Sequence, residues 1–600
     1  MTQEPARLAR LLRSLQEPRA RVAVAVVALV LMLPSVADRF ALDDHVLALK
    51  ARAHTGVQGL ASEPLWLFTF TTGRPADNQA LMDQGVLLPW WSDPQHLNAF
   101  FRPLSSLTHL LDFQLWPHAP RLMHVHSLLW FAVLLVVILH LYRRLSPEPA
   151  WLPGFAFLLY ALDAAHGTTV GWISNRNALV SAAFALPAVF AHHRVRRHGG
   201  RLAGVVGPLC FALGLCAGET ALAVLGYLVA YAVCLDRDAL RARLMALAPY
   251  LVLLLAHRAL YHFLGLGSFG SAGYHDPLHE PWAFARALAY NLPVLLSAQL
   301  GAPTADVAFW GSLAERQQLY VLSWLTLGAL GWLAAPLLRR SAQARFWALG
   351  MLLAAVPVSA SIPGERLLLV VGVGAAALVA LLIAAPLREH AGQARLQGLL
   401  LAGLVAAHLL AAPLGLVLQA NSMNLVAAAV DRVDASLGDA PDLADKSLVV
   451  VNAPVNILLS YLQLARLHRG APHPAHVYWL ASASSQISVM RSAERTLRVS
   501  LSRGFLEQPE QTHYRSDPSA LGVGNEVQLS ELAVKVVEVT ADARPKTVDF
   551  SFAHRLDSPR YLLRQYRDGK LWPWQPPTLG ASERFSAEDF FRVVVSEPFR

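Results

Sequence analysis

Charge is scarce in this chain. Only 15% of its 600 residues are Asp, Glu, Lys or Arg, against about 25% in a soluble domain. With 55% hydrophobic residues, that deficit excludes a disordered chain and speaks against an ordinary soluble enzyme. Cysteine is nearly missing too. Cys210, Cys216 and Cys234 all lie in apolar stretches, so no disulfide framework is available and redox compartment is not legible. There is no internal repeat and no low-complexity tract. In particular, no helical-hairpin array with a period of about 34 residues follows the apolar part. A cleavable leader is not evident either. The first apolar run has no small-residue cleavage site and reads as an uncleaved span.

What is present is a series of apolar runs. A span needs roughly 20 apolar residues, and the runs predict about eleven: 22–36, 122–142, 151–163, 176–192, 202–217, 220–235, 245–262, 319–338, 346–362, 367–386 and 397–418. The net charge of +9 would suggest nucleic acid on a soluble protein. Here the basic residues flank the spans, so they orient the chain in lipid instead. Arg7, Arg10, Arg13, Arg19 and Arg21 put the N-terminal segment (1–21) in the cytoplasm. Arg143, Arg144, Arg194, Arg196, Arg197, Arg237, Arg241, Arg243, Arg345, Arg388 and Arg395 return successive hairpins to the same side. The stretch 283–300 reads as re-entrant or interfacial, because a full crossing would carry Arg339 and Arg340 outside.

Two segments do not belong to the runs. The large first outer loop, 37–120, holds Trp90, Trp91 and Trp116 and amphipathic stretches of the kind that lie at a membrane interface. From residue 420 charge, Pro and Ser return. Alternation predicts strands at 447–451, 476–480, 532–539 and 547–552, with an amphipathic helix at 456–468. The expected architecture is a polytopic α-helical membrane protein (22–419) followed by an extracytoplasmic α+β domain (420–600). For a bacterial chain that domain would face the periplasm.

The few ionisable residues at span ends are costly there and mark function. They gather on the outer side: Asp43 and Asp44, Arg102, His166 and Arg176, Glu219, Glu365 and Arg366. Each has a bland reading as a helix cap, an interfacial anchor or a local ion pair. As a set on one face they suit one chemistry. A carboxylate at the water–lipid boundary acts as general base on a hydroxyl, or an adjacent pair holds a divalent cation. Arginines at the same level bind a phosphate and stabilise its departure. A phosphate tied to a lipid, as in a polyprenyl-phosphate sugar, fits such a face. The rival is a transporter or flippase of a lipid-linked or anionic substrate. It would place charges at mid-membrane in broken helices and repeated halves, and the large outer loop speaks against it. A catalytically inactive scaffold would not need the Asp43–Asp44 pair.

The order of short motifs carries a resemblance. Phe-Ala-Leu-Asp-Asp (40–44), Phe-Phe-Arg-Pro-Leu-Ser-Ser-Leu-Thr (100–108), Leu-Met-His-Val-His-Ser-Leu-Leu (122–129) and Ala-His-Gly-Thr-Thr-Val-Gly-Trp-Ile-Ser-Asn-Arg-Asn-Ala-Leu (165–179) are followed by Ala-Gly-Glu-Thr-Ala (217–221) and Pro-Gly-Glu-Arg-Leu-Leu-Leu (363–369). Over residues 20–390 the chain resembles the GT-C glycosyltransferases, nearest the protein O-mannosyltransferase-like branch with its tetratricopeptide-tailed members. The resemblance implies an inverting transfer of a sugar, expected to be a hexose, from a polyprenyl- or dolichyl-phosphate donor to a protein, lipid or glycan. It assigns the base, or a metal-associated carboxylate, to Asp44 or Asp43, with Asp44 preferred. Arg102, His166, Arg176 and Arg366 become donor-phosphate or sugar contacts, together with Glu219 and Glu365 in the family's later acidic turns. Two departures stand out. The tetratricopeptide tail is replaced by a different domain, and Gly218 stands where a basic residue often precedes the acid.

Overall fold

The structure, a computed structural model, describes residues 12–146, 148–385 and 391–588. Arg7, Arg10 and Arg388 of the charge reading lie outside them.

Among the described residues six helices are long and apolar enough to cross a membrane: Pro18–Ser35, Pro120–Leu145, Ile173–His198, Leu240–Phe263, Leu313–Arg340 and Gly392–Ala435. Two of them start on proline, whose missing N–H costs nothing at the first helical position. Pro120–Leu145 ends on Arg143 and Arg144, cations favoured by the carbonyl end of the helix. The other five expected spans fall on shorter apolar helices, Leu152–Ala161, Arg201–Ala217, Thr220–Cys234, Ala342–Val358 and Val371–Ile383. At 10–17 residues these are shorter than the roughly 20 of a typical crossing, so helix length and composition support six of the eleven expected spans. The stretch 283–300 lies in the helix Pro281–Gln299, which is not among the six.

The chain divides into two compact units. The first holds 1–38, 101–265 and 277–423. Its helices pack through small residues, as close backbone approach requires. A Cβ on Gly226 would sit 2.7 Å from the Ala354 nitrogen. Phenols thread the same core. Tyr142 Oη donates to the Val373 carbonyl (2.7 Å) and Tyr227 Oη to that of Val370 (2.9 Å).

The second unit joins 39–100 and 266–276 to 424–600. Most of the first outer loop is therefore built with the C-terminal residues. Leu87 N–H donates to the Ser460 carbonyl and Asp93 N–H to that of Tyr514, and the unit holds three sheets. Thr69–Thr72, Leu97–Ala99 and Gly267–Phe269 form an antiparallel sheet. A six-stranded antiparallel sheet has the order Ser582–Phe585, Ile487–Ala493, Thr496–Leu501, Pro545–Phe552, Leu532–Val539, Glu526–Gln528. In the third sheet Ser447–Val450 runs parallel to both His476–Trp479 and Tyr561–Arg567. All four expected strands are present, within two residues at each end. The expected helix 456–468 is two helices, Asn456–Ser460 and Leu462–Arg469, broken at Tyr461.

Candidate functional site

The first acidic turn is shaped by its backbone. Asp43 and Asp44 open the helix Asp43–Lys50, where the N-terminal dipole favours carboxylates. Asp44 N–H donates to the Ala41 carbonyl at 3.0 Å, closing a four-residue turn. Leu42 in that turn has φ 49°, ψ −113°. This is the conformation of the first central residue of a type II′ turn, which favours glycine. A leucine held there stores about 1–3 kcal/mol of strain, a sign of a position fixed for function.

The two carboxylates then diverge. Asp44 is 1% exposed and accepts the Ala41 N–H on Oδ2 at 2.9 Å. Asp43 is half-buried, and Tyr461 Oη donates to its Oδ1 at 2.5 Å. Burial first, and the charge of Asp43 second, hold the Tyr461 phenol well above its ordinary range, so it stays a donor. One residue on, His45 Nδ1 lies 3.0 Å from His468 Nδ1. Burial, then His468 and Arg469, push His45 down to about 3, so it is neutral. Behind them Glu510 is pushed up to about 7 by burial, while Ser482 Oγ donates to it at 3.0 Å.

In the first unit the remaining candidates fall into three groups. Arg102 donates through Nε to Glu219 Oε2 at 2.8 Å and through Nη2 at 2.7 Å. Tyr261 Oη donates to the other oxygen of Glu219 and accepts the Phe101 N–H at 2.9 Å. Burial pushes the Glu219 carboxyl up. The Arg102 charge and the bonds from Tyr261 and Arg102 outweigh it and hold Glu219 below its ordinary value. Both side chains keep some exposure, 16% and 28%.

Arg176 differs. It is wholly buried and its guanidinium is engaged throughout: with Asp112 through Nη1, with Ser127 Oγ at 3.0 Å and with the Met123 carbonyl at 2.7 Å. Asp112 also meets His126 Nδ1 at 2.6 Å. Arg176 thus binds the start of its helix to two other segments.

The third group surrounds Glu365. Its Oε1 accepts the Ala305 N–H at 3.0 Å, and its own N–H donates to Asp306 Oδ1 at 3.1 Å. Burial, then Asp306, push Glu365 up to about 8. Asp306 is raised by burial as well, against Arg366 and the donors that oppose it. The Arg366 carbonyl accepts Thr169 Oγ1 at 3.2 Å. His166 is buried, with Nε2 2.7 Å from the Tyr160 carbonyl, and burial lowers its pKa.

Sequence reasoning missed Tyr461, Tyr261, Asp112 and Asp306. Asp306 stands at no expected span end, so it lacks the signal used for Glu219. The tyrosines carry none, because their partners are far away in sequence. Among the described residues no three His, Cys, Asp or Glu side chains gather as a cation site would require.

No family model and no curated protein matches the chain. Solved structures do. The crystal structure of ArnT from Cupriavidus metallidurans bound to undecaprenyl phosphate aligns with 88% of this chain and 97% of its own, at 13% identity and TM-score 0.37. The cryo-EM structure of the arabinofuranosyltransferase AftD from Mycobacteria aligns with 90% of this chain and 40% of its own, at 15% identity and TM-score 0.33. Likeness of this degree does not establish a common fold, so the functional reading rests on the side chains.

Proposed function

We propose that the chain is a GT-C-type membrane glycosyltransferase. It takes a sugar from a polyprenyl-phosphate donor, with a hexose as the first to test, and transfers it to an acceptor on the outer face of the membrane. The C-terminal residues then lie outside and the N-terminus inside. The observation that carries this reading is the turn at Leu42–Asp43. A strained leucine presents a half-buried carboxylate at a helix N-terminus, held by a phenol.

In the proposed step Asp43 takes the proton of the acceptor hydroxyl. The acceptor oxygen forms the new bond to the anomeric carbon, and the bond to phosphate breaks with its electron pair. Asp43 replaces the Asp44 preferred on sequence, because Asp44 is buried and spends an oxygen on its own turn. Arg102, tempered by Glu219, contacts the departing phosphate, and Arg366 serves the same end. Arg176 and His166 act through the segments they fix. Buried Glu365 holds its loop in the protonated form.

The test uses the purified full chain in lipid nanodiscs, a panel of radiolabelled polyprenyl-phosphate sugars, and added membrane extract as acceptor. Transfer that Asp43→Asn abolishes is expected. Donor translocation across a sealed vesicle without transfer would establish the flippase instead.

A further inference from the structure

The helix expected over 456–468 breaks at Tyr461, and the break has a consequence. An unbroken helix would carry the phenol round with its turn. Here Tyr461 closes Asn456–Ser460 and opens Leu462–Arg469, with φ −103° and ψ −5°. Its hydroxyl meets Asp43 across 418 residues of sequence. The surroundings hold the break in place. Leu462 and Leu464 are buried on one side. Asn456 receives the Trp479 indole N–H at 3.1 Å. Gln463 Nε2 donates to the Gln84 carbonyl, and Leu87 N–H donates to the Ser460 carbonyl at 3.1 Å. The first-loop segment and the crossover helices of the parallel sheet are therefore stitched together on either side of Tyr461.

We infer that Tyr461 is a positioning residue for the transfer reaction: its phenol, supplied from the C-terminal part of the chain, orients the Asp43 carboxylate and keeps it ionised. This inference rests on the reading of Asp43 as the base. A hydrogen bond to the charged form of a carboxylate favours that form. The bond is short, as O–H···O⁻ bonds are, and it fixes the direction in which the carboxylate can accept a proton. The C-terminal residues thereby become part of the reaction apparatus rather than a cap upon it. The other titratable groups around this pair are Asp44 and His45 on the acid's own helix, His468 and Arg469 facing His45, and Tyr274, Tyr514 and Glu510 from the remaining elements.

The test follows the Asp43 carboxylate by infrared difference titration of the full chain in nanodiscs. Asp43→Asn assigns the band, and Glu510→Gln removes the neighbour closest to neutral. Tyr461→Phe is expected to raise the pH at which Asp43 protonates by about one unit, a factor of ten for one lost charge-assisted hydrogen bond. Replacing Tyr461 by 3,5-difluorotyrosine, a stronger donor, is expected to shift the midpoint the other way. With radiolabelled polyprenyl-phosphate sugar, Tyr461→Phe should lower kcat about tenfold at unchanged KM and move the acid limb of the rate profile up by the same step as the infrared midpoint. An unshifted midpoint in both Tyr461 variants overturns the inference. An inactive Asp43→Asn beside a Tyr461→Phe with wild-type kcat and acid limb overturns it while leaving the base assignment standing. Wild-type transfer by Asp43→Asn overturns both.

Discussion

Two acidic pairs in this chain are built from the same groups and behave in opposite ways. At Asp43–Asp44 the carboxylates open a helix, and each receives a hydrogen bond from outside its own side chain, from Tyr461 and from Ala41. At Asp306–Glu365 one member is buried and the other half-buried, and burial, then the Asp306 charge, push Glu365 up to about 8. Desolvation disfavours charge in both places. Donors reach both pairs, since Asp306 and Glu365 accept N–H bonds as well; what acts on Glu365 besides burial is the charge of Asp306. The first pair offers one half-buried member, Asp43, to a phenol donor. The second is arranged to keep a proton. A general base suits the former, and a loop lock the latter.

The sharpest break in this comparison is Asp43→Asn. Removal of a general base costs about 10²–10⁴ in rate, so transfer from a polyprenyl-phosphate sugar should fall by that range. Asn keeps the acceptor oxygen facing Tyr461, so the folded fraction in size-exclusion chromatography should not change. Loss of folded protein in step with activity would recast Asp43 as structural.

A third carboxylate, Asp112, is fully buried and paired with Arg176, and it bounds the effect of charge with no reactive duty. Arg176→Met takes the guanidinium away from that buried charge, which costs about 3–5 kcal/mol. A steep drop in the thermal midpoint is expected. Restoring it by the double change Arg176→Met with Asp112→Leu would show that the pair braces helices. A stable Arg176→Met that binds donor poorly would return Arg176 to the phosphate.

The second acidic pair predicts a pH dependence of definite sign. Folded Glu365 releases its proton near pH 8, against about 4.5 when free. Between those values the folded state binds the extra proton, so this contribution is fully present below about pH 4.5 and is lost as pH rises towards 8. Glu365→Gln mimics the protonated form. Its thermal midpoint should fall less than that of wild type from pH 5 to 8, by a difference equivalent to at least about 1 kcal/mol. Parallel curves for the two proteins would remove the distinction between the pairs.

Sequence gave different parts of this arrangement for different physical reasons. The apolar helices, and Arg143 and Arg144 at the end of one of them, are local in origin, so hydropathy and charge reveal them. The strands 532–539 and 547–552 alternate cleanly and were legible in the same way. Five of the expected spans fall on helices of 10–17 residues, because apolar composition does not report helix length. Tyr461 was hidden twice. Its helical periodicity continues through the break, and its partner is 418 residues away. The joining of 39–100 to the C-terminal residues has the same cause. It rests on bonds such as Leu87 N–H to the Ser460 carbonyl and Asp93 N–H to that of Tyr514, which leave no local trace.

The smallest effect is the one that separates the neighbours Asp43 and Asp44. Asp44 gives an oxygen to Ala41 N–H and is closed to solvent, so its duty needs an acceptor and not a charge. Asn accepts as well as Asp at a helix N-terminus, whereas Ala loses about 1 kcal/mol. Asp44→Asn should therefore leave the thermal midpoint within about 0.5 kcal/mol of wild type and transfer within about threefold, the spread of ordinary neutral substitutions. Asp44→Ala should lower the midpoint by the larger amount and cost activity only through it. At Asp43 the ranking reverses, because there the amide preserves the geometry but not the basicity. A chain in which Asp44→Asn is as inactive as Asp43→Asn would mean that both charges are used. The closed turn over Leu42 would then have to open during each transfer for Asp44 to take part.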